Sequence, residues 1–218
     1  MTEEDFKKLA EQLRKPHGKE GVEVGKMMNH GNLAIYTDAM RALNIQDQDR
    51  LLEIGPGNGF FVKDLLSKAN EVTYAGCDFS ELMVEQCHEM NREFIQEGRA
   101  QFVHAECHQM PFEPEAFTKI LTVNTIYFWP DPMATLNEFH RVLTPSGTLT
   151  IALRPEHKMK NIPFTKHGFA FWTEEKLYEL FEASPFSLVS IEHHIEPTTG
   201  FAGRSMQMEN YVVIAEKH

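Results

Sequence analysis

Cysteine is scarce in this 218-residue chain: Cys77, Cys87 and Cys107 are the only three, and no two form a CxxC pair. That spacing argues against a zinc site or a disulfide framework and leaves reduced, buried thiols; no metal is expected. Positive charge is also short, with 21 Lys and Arg against 32 Asp and Glu and a formal net charge of −11. Proteins that grip phosphates release counterions through Lys and Arg clusters. No such cluster is present, so nucleic acid is not an expected partner. No stretch approaches the ~20 apolar residues of a membrane span. The first residues, Met1-Thr2-Glu3-Glu4-Asp5-Phe6-Lys7-Lys8, are acidic and then basic with no apolar run behind them, unlike a secretory signal. The expectation is a cytoplasmic protein without membrane contact. Internal repeats and low-complexity tracts are missing too. What remains, 42% hydrophobic and 24% charged residues, suits a globular chain able to bury a sizeable core.

Between Arg50 and Leu153 short apolar runs alternate with amphipathic helical stretches, the pattern of a parallel α/β sheet. The runs are Arg50–Ile54, Val72–Cys77, Ala100–Ala105, Lys119–Val123 and Thr148–Leu153. Strands covered on both faces by crossover helices read as nearly continuous hydrophobic stretches, as these do. Met83, Cys87, Met90 and Phe94 recur by fours and threes and share one helical face, as do Met133, Leu136, His140 and Leu143. Ser80 and Thr173 precede acidic residues and suit helix N-caps. Residues 1–49 read as helices over Glu3–Arg14 and Asn32–Leu43, the second with Leu33, Tyr36, Met40 and Leu43 on one face. The Gly-rich polar segment Lys15–Gly31 between them is expected to be mobile or ordered by a ligand. A further helix near Glu174–Ala183 precedes two β-like runs, Ser187–His193 and Asn210–Glu216. The linker Glu196–Gln207 is expected to loop over the site.

Leu51-Leu52-Glu53-Ile54-Gly55-Pro56-Gly57-Asn58-Gly59 carries the most chemical information. A buried strand enters a glycine turn, where backbone can approach a ligand closely and a following helix offers unpaired N–H groups. The dinucleotide fingerprint G-x-G-x-x-G would need glycine where Phe60 stands, which weakens a NAD reading. Glu53, in the strand before the turn, would repel a pyrophosphate but attract a cationic ligand. Asp78 closes the next strand, 21 residues beyond Gly57. A carboxylate there can accept hydrogen bonds from both hydroxyls of a ribose.

The stretch Glu53 to Gly59 resembles the E/DxGxGxG motif of class I S-adenosylmethionine-dependent methyltransferases. Asp78 matches the family's ribose-binding acid. Ala105-Glu106-Cys107-His108-Gln109-Met110-Pro111-Phe112 resembles its G-D-A-x-x-L-P-F segment beside the adenine. Asn124-Thr125-Ile126-Tyr127-Phe128-Trp129 falls where the family has a variable active-site segment. Arg141-Val142-Leu143-Thr144-Pro145-Ser146-Gly147 is similar to its R-V-L-K-P-G-G turn. The likeness runs in order from Arg50 to Ala152 and is nearest the small-molecule, ubiquinone/menaquinone-biosynthesis-like ("type 11") branch. Glu106 stands for the usual Asp, and Ser146 for a glycine.

This resemblance implies an α/β, Rossmann-like seven-stranded sheet in the order 3-2-1-4-5-7-6, its last strand antiparallel, with helices on both faces. Residues 50–218 would form the methyltransferase domain and residues 1–49 a helical lid. It implies S-adenosyl-L-methionine as cofactor, with Gly55, Pro56, Gly57 and Gly59 lining its methionine and ribose end. Glu53 would lie near the methionine amine, Asp78 on the ribose, and Phe79 and Met83 against the adenine. Glu106 and Cys107 would face the adenine ring, and Asn124, with Thr125 beside it, would supply a backbone carbonyl to the amine. Asn32 and Tyr36, one helical turn apart, are expected to face the same site.

The acceptor is expected to be a small molecule with an O, N or C nucleophile. No D/N-P-P-Y/F loop follows the fourth strand, no cysteine follows a proline, and no Asp and Asn set resembles a magnesium-dependent catechol site. A nicotinamide-dependent oxidoreductase and a non-catalytic cofactor-binding protein remain as rivals. His30, His157 and His167, in segments expected to border the acceptor, and Tyr127 are the candidates for a general base. Phe128 reads as a core aromatic.

Overall fold

The computed structural model describes residues 1–196, 199–201 and 204–218. Three helices open the chain: α1 (Glu3–Arg14), α2 (Gly18–Gly31) and α3 (Leu33–Leu43). There follow β1 (Arg50–Ile54), α4 (Val62–Leu66), β2 (Thr73–Asp78), α5 (Glu81–Met90), α6 (Arg92–Gln96), β3 (Ala100–His104) and β4 (Phe117–Val123). Then come α7 (Pro132–Val142), β5 (Leu143–Leu153), α8 (Glu156–Met159), α9 (Glu174–Glu182), β6 (Phe186–Ile195), a hairpin of β7 (Thr199–Phe201) and β8 (Arg204–Met206), and β9 (Glu209–Lys217).

The main sheet has seven strands in the order β3-β2-β1-β4-β5-β9-β6. β1 to β5 run parallel, and β9 enters antiparallel between β5 and β6. This is the order and polarity that the resemblance implies. Alternation along each strand splits the core in two. Leu52, Ile54, Ile120, Leu149 and Ile151 face α7 and α9, which bury Leu136, Phe139, Leu177 and Phe181. Leu51, Leu121, Val123 and Ala152 face the other way, against Ile35, Ala39 and Leu43 of α3 and Val62 and Leu65 of α4. Glu53 shares the Leu51 face, so the same alternation places its carboxylate under α3.

The helix boundaries have local causes. Ser80 caps α5 by accepting from Met83 N, and Thr173 caps α9 by accepting from Lys176 N, as their positions suggest. Asp131 caps α7 ahead of Pro132 at the first helical position.

The segment Lys15–Gly31 departs from expectation: from Gly18 onward it is helix, not a mobile linker. Gly21 and Gly25, four apart, lie on one face of α2 and let it close on α5. A methyl group at Gly21 would sit 2.8 Å from Leu82 Cδ2, and one at Gly25 3.4 Å from Met83 Cε. Tertiary contact outweighs poor intrinsic propensity here. Leu33 is exposed, and the buried face of α3 runs through Ile35, Tyr36, Ala39 and Leu43. Met90 is also exposed, because the helix breaks at the buried Asn91, whose amide donates to Gly59 O and Cys87 O. The expected loop Glu196–Gln207 includes the hairpin of β7 and β8; its residues 197, 198, 202 and 203 lie outside the described residues.

Candidate active site

A cavity of about 310 Å³ opens at the carboxyl ends of β1, β2 and β4, the expected place for a ligand in an open α/β sheet. Its floor is the turn after β1. Gly55 and Gly57 hold φ of +70° and +58°, and a methyl on Gly55 would sit 2.5 Å from Thr125 Cγ2. Both line the cavity with Pro56 and Asn58. Gly59 does not line it. A methyl there would strike Asn91 Nδ2 at 2.5 Å and Cys87 Sγ at 3.0 Å, so this glycine lets the turn close on α5.

Asp78, at the end of β2, also lines the cavity, with Phe79 and Met83. Oδ1 of Asp78 accepts from Ser80 N at 2.8 Å. Burial pushes its pKa up to about 7, against the opposing pull of the Ser80 and Gly57 backbone N–H groups. The Ser80 hydroxyl donates to Pro16 O at 2.6 Å, which ties the turn between α1 and α2 to the start of α5. Lys15 Nζ stands 5.2 Å above the Phe79 ring. On the β3 side, Glu106 and Cys107 reach the wall. Burial raises the Cys107 thiol to about 11, and the thiol lies 3.7 Å from Thr135 Oγ1.

At the β4 end, Asn124 takes φ +57°, unusual for a residue with a side chain, and lines the cavity with Thr125. Asn124 Nδ2 donates to Asn32 Oδ1 at 3.1 Å. Thr125 Oγ1 accepts from Trp129 Nε1 at 3.1 Å. Asn32 and Tyr36 both reach this wall, as their spacing suggests.

Glu53 does not touch the cavity. Its two oxygens accept from Tyr36 Oη and Tyr74 Oη, each at 2.6 Å, and the carboxyl is 1% exposed. Burial raises its pKa, and the two phenol donors oppose that rise. Tyr36 in turn stacks on Phe61 with centroids 3.8 Å apart. Glu53 therefore holds a cavity-wall tyrosine in place.

None of the four candidate bases lines the cavity. His30 is exposed, with Nδ1 3.3 Å from Lys26 O. His157 Nε2 pairs with Glu209 Oε2 at 2.9 Å, and His167 Nε2 lies 3.0 Å from Glu3 Oε1. Helix α2, which carries His30, turns its glycine face inward. Tyr127 is buried; its hydroxyl donates to Asn124 Oδ1 at 3.0 Å, and burial raises its pKa further above the phenol range. Phe128 packs against the core, as expected, and also lines the cavity with Trp129 and Pro130. The short helical turn over Ile126–Phe128 points Tyr127 inward and Phe128 toward the opening.

Several wall residues escape the sequence reading: Leu13, Arg14, Asn29, Phe61 and His108. A signal existed for some. Gly25, Met28, Asn29, Asn32 and Tyr36 recur by threes and fours, one face of a continuous helical path that the glycine content of the segment obscures. Among the described residues, no group of three or more His, Cys, Asp and Glu side chains has a metal-holding arrangement.

Residues 52–151 match a family model described as a methyltransferase domain. The matched stretch runs from β1 to β5, 100 of the 218 residues, and is similar to methyltransferase domains. The methyltransferase YrhH of Bacillus subtilis (strain 168) is 30% identical over 112 residues, 51% of this chain and 61% of that protein. The 27-O-demethylrifamycin SV methyltransferase of Amycolatopsis mediterranei (strain S699) is 28% identical over 109 residues, 50% of this chain. The chain spans only 40% of that second relative. A Haloferax volcanii methyltransferase, solved with the Trm112 methyltransferase activator, shares the fold. Its TM-score is 0.73 at 17% identity, over 89% of this chain and 94% of that one.

Proposed function

We propose that this chain is a class I S-adenosylmethionine-dependent methyltransferase of the type 11 branch, which binds S-adenosyl-L-methionine in the β1–β4 cavity and methylates a small-molecule O, N or C nucleophile by in-line displacement. The observation that carries the reading is the convergence of the Gly55–Gly57 turn and the buried Asp78 carboxylate on one cavity. The residues suit the cofactor. Asp78 keeps acceptor capacity beyond its bond to Ser80 N, enough to take both hydroxyls of a ribose. Phe79 and Met83 offer an apolar surface to the adenine, with Glu106 and Cys107 at its edge. Gly55 and Gly57 let the backbone approach the methionine end, toward Asn124 and Thr125. Glu53, its oxygens held by two tyrosines, adds negative charge behind that wall.

When bound, the cofactor supplies an activated sulfonium methyl group. The chain's part is to align the acceptor and exclude water, and alignment accounts for most of the acceleration in such transfers. Met28, Asn29, Phe128, Trp129 and Pro130 form a largely apolar wall suited to an acceptor of modest size. Among the described residues His108 is the histidine that lines the cavity, beside Cys107 on the β3 side. The name of the rifamycin-acting relative supports a small-molecule acceptor. In this reading residues 1–31 act as a lid over a cofactor domain, in a chain working in the cytoplasm. No helix among the described residues is long and apolar enough to cross a membrane.

Calorimetric titration with S-adenosylhomocysteine and with NAD tests the cofactor. Binding of NAD alone would overturn the reading in favour of an oxidoreductase. A methyl-release screen over a metabolite panel tests catalysis, and no turnover across it despite tight cofactor binding would favour a non-catalytic role. Limited proteolysis after Lys19 or Lys26 tests the lid. S-adenosylhomocysteine should protect both sites, and equal cleavage with and without it would reject closure.

A further inference from the structure

A chain of hydrogen bonds runs from Arg154 through Tyr127 and Asn124 to Asn32, and each donor fixes the direction of the next. It starts at the backbone N–H of Arg154, which can only donate, and which donates to Tyr127 Oη. The single phenol proton of Tyr127 then has two acceptors in reach, Asn124 Oδ1 at 3.0 Å and Arg154 O at 3.3 Å. The shorter contact takes it. Asn124 is thereby oriented with its oxygen toward Tyr127, and its amide nitrogen donates to Asn32 Oδ1 at 3.1 Å. Asn32 must therefore hold its oxygen toward Asn124 and turn its two N–H donors away. Asn32 and Asn124 line the cavity, and among the described residues Asn32 Nδ2 has no protein acceptor.

We propose that the Arg154–Tyr127–Asn124 chain fixes Asn32 as a hydrogen-bond donor to the carboxylate of the cofactor's methionine end. This rests on the cofactor reading above. With the ribose at Asp78, Gly55 and Gly57 would flank the amino-acid arm, and Thr125, Asn124 and Asn32 would lie at its end. Donors that need no reorientation bind an anionic oxygen without an ordering cost. Tyr127, too deep to touch a ligand, is a positioning residue in this scheme. Its role explains why a buried hydroxyl sits next to an apolar wall with its partners already satisfied.

The test compares two nucleosides by calorimetry: S-adenosylhomocysteine, which carries the amino-acid arm, and 5′-methylthioadenosine, which lacks it. Asn32→Asp replaces donors with a negative acceptor. It should weaken S-adenosylhomocysteine on the order of tenfold or more and leave methylthioadenosine within about twofold, inside the usual context-dependent scatter of single interactions. Tyr127→Phe, which frees the Asn124 amide to flip, should give a smaller loss with the same selectivity. Asn32→Ala serves if the aspartate variant does not fold by circular dichroism. Tighter binding of S-adenosylhomocysteine to Asn32→Asp would overturn the proposal, since Asn32 would then face the ammonium. Equal losses for both nucleosides, or none for either, would overturn it as well. Failure of the unaltered protein to bind either nucleoside would instead sink the cofactor reading.

Discussion

At the scale of single residues, Asp78 is under two opposed demands. A carboxylate accepts two ribose hydroxyls only when ionised, yet burial draws its pKa up to about 7. Cofactor affinity should therefore fall as pH drops through 7, approaching tenfold per pH unit below it. Titrations with S-adenosylhomocysteine between pH 5.5 and 8.5 check this, and Asp78→Asn should flatten the profile at weak affinity. The sign for stability is the reverse. The folded pKa lies above the unfolded one, so the group favours folding most fully at low pH, and that contribution is lost as pH rises from about 4 to about 7. Asp78→Asn should thus melt higher than the unaltered protein at pH 8 while binding cofactor poorly. Tyr74 gives the complementary case. It donates to buried Glu53 but does not line the cavity. Tyr74→Phe should cost about 1.5–3 kcal/mol of stability, roughly 2–4 °C of Tm per kcal/mol in a chain of this size, with cofactor affinity unchanged. The Asp78 and Gly55–Gly57 placements were legible because the motif spacing sets them at the carboxyl ends of adjacent parallel strands, β1 and β2. The occupation of Glu53 by two tyrosines was not, since its partners lie 17 and 21 residues away on other elements.

At the scale of elements, α2 shows what local pattern reading misses. Glycine at 18, 21, 25 and 31 lowers helix propensity, and from sequence alone the segment resembles a flexible link. Two of these glycines are contact surface, and substitution can separate the roles. Gly21→Ala should destabilise by about 1–3 kcal/mol, because the new methyl meets Leu82 and the Pro16 carbonyl carbon at 2.8 and 2.9 Å. Gly31→Ala, with open space around it, should be neutral or stabilise by up to about 1 kcal/mol. Thermal melts of the two variants make the comparison, and equal shifts would mean that α2 is not pressed against α5. The parallel strands, by contrast, were readable to within a residue at their carboxyl ends, whereas β4 begins two residues and β5 five residues before the expected runs. Burial on both faces leaves a continuous apolar run, and its short length between turn signals marks it as strand rather than buried helix.

At the scale of the molecule, α3 bridges the expected division at residue 49. Ile35 and Ala39 are fully buried against the sheet face formed by Leu121, Val123 and Ala152. Removal of residues 1–31 should leave a folded, soluble protein with a weakened site. Removal of 1–49 strips an apolar sheet face and should give aggregation, as size-exclusion chromatography would show. The sheet order itself was legible only through resemblance. Run spacing alone does not say that the last strand inserts between its predecessors. That insertion governs assembly. β6 touches β9 but not β5, so until β9 docks, the outer edge of β5 offers an unpaired row of amides and carbonyls beside Leu149, Ile151 and Leu153. The pairing spans contacts such as Thr150 with Ile214, far apart in the chain, and closes late. A newly made chain is therefore expected to pass through a stage with an open, apolar strand edge, the kind of surface to which other copies or chaperones adhere. In pulsed hydrogen exchange, protection of β6 should never precede that of β9, and the yield of refolding should fall with protein concentration until the last strand zips in.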